Sequence, residues 1–193
     1  MKKVLVIFLL LTIFSSFLPG CKGTGGDEFV YFDNETYFRD MGGTNGVELW
    51  FNRWHLDISS VGNGNPIGND TPFVLDGKVY EHGLGIDGVT IEGRDPREFS
   101  FIKYKVLQGE FSEVRAILGF DDSTKVKAEC KLTAYADDKK IYESPSINSD
   151  VNSVNIAFKL PKDIETISFR FDFHTVNGVT PRIILVDLKA KKR

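Results

Sequence analysis

Two hydrophobic patterns divide the chain. Residues 4–17 form an apolar run without a charge, whereas beyond residue 110 the apolar positions recur at every second residue. Val114, Ala116, Leu118 and Phe120 alternate with Glu113, Arg115, Ile117 and Gly119. Ala128, Cys130, Leu132, Ala134 and Ala136 alternate mostly with lysine, glutamate and threonine. Ile156, Phe158 and Leu160 repeat the pattern, as do Ile167, Phe169, Phe171 and Phe173, and Ile184, Val186 and Leu188 close it. Successive side chains of a strand point to opposite faces, so this period predicts strands with one face in a core. Asp121-Asp122-Ser123, Asp137-Asp138-Lys139-Lys140, Ser144-Pro145 and Asn177-Gly178 separate them with turn-forming residues. No window predicts an amphipathic helix of ten or more residues, and residues 163–166 predict a single short helical turn. Many short strands spaced by turns predict an all-β chain, an antiparallel β-sandwich with the jelly roll as its form. Cys130 falls on the inward side of its strand as a small buried hydrophobe.

The early apolar run is too short to span a membrane, which takes about 20 apolar residues. With Lys2 and Lys3 before it and Leu18-Pro19-Gly20-Cys21 after it, it reads as a signal peptide over residues 1–20. The Leu-x-Gly-Cys ending resembles the lipobox of bacterial lipoproteins. That resemblance implies cleavage before Cys21 and lipidation of its thiol; the alternative is an ordinary secretory signal with a chance cysteine. Several acyl chains on one terminus hold stably, at about 0.8 kcal/mol per buried methylene. The expected location is the bacterial cell envelope, lipid-anchored and extracytoplasmic, with residues 21–28 as a glycine-rich flexible tether and 29–193 as the folded domain.

The 173 residues from Cys21 onward suffice for one domain with a sizeable core. Without Lys2 and Lys3, 22 of the 24 basic residues remain against 27 acidic ones, a net charge of −5 with neutral histidines. That balance provides no footprint for nucleic acid. Lys189, Lys191, Lys192 and Arg193 read as a solvated strand end. Apart from Cys21 the chain has only Cys130, so lipidation leaves no internal disulfide and no cysteine-based metal site.

The first third differs. A stretch of turn formers over residues 62–70 follows Trp50, Phe51, Trp54 and His55, and a long loop beside aromatics on a β scaffold suits recognition. Either tryptophan could equally fill the core at a sandwich end, the preferred reading for Trp50. Tyr37-Phe38-Arg39-Asp40-Met41, then Pro72-Phe73-Val74-Leu75-Asp76-Gly77-Lys78-Val79-Tyr80, then His82-Gly83-Leu84-Gly85-Ile86-Asp87 resembles the opening half of the NPCBM domain, the novel putative carbohydrate-binding module. Gly109-Glu110-Phe111-Ser112, Gly119-Phe120-Asp121-Asp122 and the hairpin from Tyr135 to Ser144 resemble its second half. The resemblance runs over residues 37–190.

It implies a galactose-binding-like sandwich that binds sugars and sometimes holds a structural calcium. It also implies a ligand at the end where residues 82–87 meet 174–182. The chain departs from the family pattern at Asp87, where histidine is usual, and between His174 and Arg182, where no tryptophan occurs. The fold therefore transfers better than the ligand. One polar cleft is expected from Trp54, Asn65, Asp70, His82, Asp87, His174, Asn177 and Arg182, with Trp54 as an exposed stacking aromatic. Asp121 and Asp122 are candidate ligands of a structural calcium, which takes six to eight oxygens, or an ordinary acidic turn with Ser123.

The three histidines are isolated, and no nucleophile elbow, His-Glu-x-x-His or cysteine–base pairing is present. Carboxylates are numerous enough for a glycosidase pair, yet a small single sandwich is more often a binder. The expectation is a non-catalytic glycan-binding lipoprotein, with an interaction lipoprotein that binds a protein partner as the alternative.

Overall fold

The computed structural model describes residues 28–32, 38–43, 47–54, 71–88, 97–124, 126–148, 151, 153–174 and 181–193. Among them every regular element is a strand: β1 (Phe29–Tyr31), β2 (Phe38–Gly43), β3 (Val47–Phe51), β4 (Arg53–Trp54), β5 (Thr71–Leu75), β6 (Lys78–Tyr80), β7 (Gly83–Gly88), β8 (Arg97–Lys105), β9 (Phe111–Phe120), β10 (Glu129–Ala136), β11 (Lys139–Glu143), β12 (Ile147–Asn148), β13 (Ser153–Lys159), β14 (Thr166–His174) and β15 (Ile183–Lys192). One sheet has the order β13-β9-β15-β7-β3 with β1 added on β15, and the other β11-β10-β14-β8-β2 with β12 added on β10. All pairings are antiparallel, and the two larger sheets face each other as a β-sandwich.

The alternation read from the sequence builds the space between the sheets. Val114, Ala116 and Leu118 of β9 meet Leu132 and Ala134 of β10 and Phe169 and Phe171 of β14 in one cluster. Each such side chain taken fully out of water contributes about 1.5–3 kcal/mol. Cys130 lies in this core, 1 % exposed, opposite Phe173 on one side and Ile147 on the other. Burial, reinforced by the charge of Asp172, pushes its thiol far above the ordinary range.

β15 departs from the expected alternation. Ile183, Leu185, Leu188 and Ala190 join the main core, while Ile184 and Val186 face the other way, into a second cluster with Trp54, Phe73 and Leu75. The register shifts between Val186 and Lys189, where Asp187 takes a left-handed backbone (φ 54°). One extra residue there flips the parity of everything after it. The outward face is apolar because a third, three-stranded sheet, β4-β5-β6, covers it. The helical turn expected at residues 163–166 does not form. Asp137 captures that connection instead, its carboxylate accepting from the backbone N–H groups of Glu165 (3.1 Å) and Thr166 (2.8 Å).

Candidate functional site

β7 explains how the site is positioned. Leu84 points into the main core, so Gly83, Gly85 and Asp87 face outward. A Cβ on Gly85 would stand 2.7 Å from the Phe73 ring and 2.8 Å from the Trp54 ring. The bare backbone at Gly85 therefore lets both rings lie directly on the sheet, with Trp54 edge-on to Phe73 at 5.0 Å. Two residues further on, just past these rings, Asp87 accepts from Arg182 Nε at 2.9 Å. The guanidinium also sits over the Trp54 ring, 5.1 Å from its centroid, and its Nη1 donates to Ser123 Oγ at 3.2 Å. Arg182 and Asp87 each keep about a third of their side chains in solvent, 32 % and 27 %. The pair is thus held on protein at one side and open at the other.

Asp121 and Asp122 hold this end together. Asp121 is 4 % exposed. Its Oδ2 accepts from Trp54 Nε1 and Val74 N, both at 3.0 Å. Its Oδ1 accepts from Ser123 N at 2.9 Å and from the Ser123 hydroxyl. Asp122 grips the tip of the β5–β6 hairpin, accepting from Asp76 N (3.0 Å) and Gly77 N (2.8 Å). Asp76 and Gly77 both have positive φ (51° and 74°), the left-handed pair of a two-residue type I′ turn. These donors satisfy the buried Asp121 carboxylate and form with Ser123 an acidic turn. Among the described residues no group of three or more His, Cys, Asp or Glu side chains could hold a metal ion.

Of the expected cleft, the structure brings Trp54, Asp87 and Arg182 together and separates the histidines. His82 precedes β7 at its opposite end, five residues and about 17 Å of strand from Asp87. There its imidazole stacks on Tyr31, ring centroids 3.9 Å apart. His174 ends β14, in the facing sheet, and lines a separate groove of about 270 Å³ with Glu98, Glu129 and Asp172. The single cleft is therefore corrected: an extended strand spaces His82 from Asp87, and the sandwich puts His174 in another layer. Trp54 is also corrected, since at 2 % exposure, with its indole N–H given to Asp121, it cannot stack on a ligand. Asn65, Asp70, Asn177 and Cys21 lie outside the described residues. Sequence reasoning missed Ser123 as a partner of Arg182 and Asn52 as a partner of Gly83. The left-handed Asn52, φ 65°, carries no motif that would have disclosed it.

The NPCBM/NEW2 domain profile matches residues 43–180. No curated protein sequence matches the chain. Solved carbohydrate-binding modules share its fold. The tandem CBM51 modules of Sp3GH98, the family 98 glycoside hydrolase from Streptococcus pneumoniae SP3-BS71, align with a TM-score of 0.59 at 20 % identity, over 86 % of this chain and 47 % of theirs. CBM51-2 in complex with GlcNAc, with the INT domains of Clostridium perfringens ZmpB, aligns with a TM-score of 0.57 at 14 % identity, over 86 % of this chain and 32 % of that one. The CBM51 of Clostridium perfringens GH95 in complex with methyl-galactose gives 0.55 at 13 % identity, over 84 % and 99 %. The chain thus spans less than half the length of the first two and nearly all of the third.

Proposed function

The chain belongs to the NPCBM/NEW2 domain family, and from that premise we propose that it is a non-catalytic glycan-binding protein held on a bacterial envelope by a lipid on Cys21. The fold is carbohydrate-binding-module-like, and the observation that carries the reading is the Asp87–Arg182 pair at one end of it. A guanidinium fixed by a carboxylate, a serine hydroxyl and an indole face is a rigid donor, and the carboxylate beside it is an acceptor. Sugar hydroxyls need both within one span, preorganised so that little entropy is lost on binding. Both carboxylates at this end are engaged as acceptors, Asp87 by Arg182 and Asp121 by four donors, so the arrangement fixes groups in place for binding.

Calorimetric titration of the full chain with methyl-galactose and with GlcNAc tests the site. Arg182→Ala is expected to weaken binding at least tenfold, and Arg182→Lys to recover only part of it, because an ammonium cannot reproduce the planar fork. Binding undiminished in Arg182→Ala overturns the assignment. For the anchor, Cys21→Ser is expected to leave the precursor uncleaved or to release a soluble product; normal lipidation of the variant rejects it.

A further inference from the structure

We infer that the groove between β4 and β6, at the His82 end of β7, is a second saccharide site that works independently of Arg182. This rests on the carbohydrate-binding reading of the domain but not on the Asp87–Arg182 end. The groove has a volume of about 480 Å³ and is lined by Asn52, Arg53, Val79, Tyr80, Glu81 and His82, with Pro72 beside them. That volume lies within the range of small-molecule sites, about 300–1,000 Å³, whereas the groove beside His174 lies below it.

Its lining selects the ligand class. Arg53 and Glu81 offset each other's charge, so the groove favours a neutral guest. Asn52, Tyr80 and His82 add an amide, a hydroxyl and an imidazole, alternating donors and acceptors as a polyhydroxylated ring does. Val79, 56 % exposed, supplies the apolar surface that the C–H face of a sugar covers. Tyr31 backs the imidazole of His82 by stacking on it, which holds that wall in one orientation.

A second observation points the same way. Asn52 is a non-glycine residue held in the left-handed region (φ 65°), a sparsely populated conformation that occurs at ligand clamps as well as at turns. A reciprocal pair with the first glycine of β7 keeps it there: Asn52 N donates to Gly83 O (2.9 Å), and Gly83 N donates to Asn52 Oδ1 (3.0 Å). Its Oδ1 is committed to the backbone in this way, and Asn52 lines the groove beside it. The glycine pair of β7 thus serves both ends of the strand, Gly85 admitting the rings beneath Arg182 and Gly83 locking the clamp.

The test is an amide-resolved NMR titration of the full chain with methyl-galactose and GlcNAc, alongside a glycan array. Two ligands per chain are expected, with shifts at Asn52, Gly83 and His82 that survive Arg182→Ala. The exposed double variant Arg53→Ala/Glu81→Ala is expected to lose those shifts, weaken the groove site at least tenfold and leave the Arg182 end responsive. Val79→Glu, also on the surface, is expected to block the groove without disturbing the fold. If Arg182→Ala abolishes every shift, one site exists and the groove is not it. If no glycan moves Asn52, Gly83 or His82 while the Arg182 end responds, the second site is rejected and the first stands. If only the groove responds, the second site stands and the first falls.

Discussion

The two hydrophobic clusters of this protein are built by different rules. The main core is closed by the inward faces of two sheets, and it absorbs Phe169, Phe171 and Leu118 at 0 % exposure. The smaller cluster under β4-β5-β6 has five fully buried members and depends on a glycine, a turn and two aspartates. The first is held by area removed from water, the second by polar groups that pin a thin cover onto a sheet. Breaking the two therefore ought to look different, globally cooperative in one case and local in the other.

Phe171→Ala is expected to have the largest effect, about 3–5 kcal/mol, because it removes a fully buried ring that neighbours on both sheets cannot replace. Denaturant unfolding followed by circular dichroism and by tryptophan fluorescence is expected to shift to the same lower midpoint. Asp121→Ala comes next, at about 1–3 kcal/mol, because it orphans Trp54 Nε1 and the N–H groups of Val74 and Ser123. Here the fluorescence is expected to change at lower denaturant than the sheet signal; coincident transitions would show that the small cluster is no separate unit.

Alkaline pH sharpens the contrast. The native Cys130 thiol stays neutral because burial raises its pKa, whereas the unfolded thiol ionises above roughly pH 8.5. Unfolding then releases a proton, so stability falls as pH rises past that point, by up to about 1.4 kcal/mol per unit. Cys130→Ala is expected to lose that part of the slope, and equal slopes would mean the thiol is reached by solvent. The smallest effect is at the β10–β11 turn, where Asp137 and Asp138 both have positive φ (45° and 65°). Asp138→Gly is expected to raise stability by less than about 1 kcal/mol, relieving the left-handed backbone at the cost of an exposed pair with Lys103.

The legibility of the chain follows the same divide. In β9, β10, β13 and β14 the main-core residues recur at every second position, even though Ile117 of β9 packs on the second cluster, so alternation alone located them and placed Cys130 inward. β15 misled because both its faces are covered and Asp187 shifts its parity, and neither fact leaves a periodic trace. Asp87 and Arg182, 95 residues apart, were both singled out in the sequence because they depart from or close a family segment, and the fold pairs them. The burial of Trp54 was not, since it depends on a glycine in another strand. His82 was grouped with Asp87 because six residues look local, but an extended strand carries them to opposite ends.

β15 also sets how the molecule would bear tension. Its first residue follows Arg182, and its far end is zipped to β1 through Phe29↔Lys191, Val30↔Ala190 and Tyr31↔Lys189. Lys192 N donating to Glu28 O (2.9 Å) and Phe32 N donating to Leu188 O (3.1 Å) extend that seam at both ends. Glu28 and Phe29 therefore lie at the end of the sandwich remote from Arg182. A pull on that segment, opposed by a ligand held at Arg182, runs along the strand axis and loads the seam in shear. All its hydrogen bonds must then yield together rather than one after another, and resistance to forced unfolding is set by that barrier rather than by equilibrium stability.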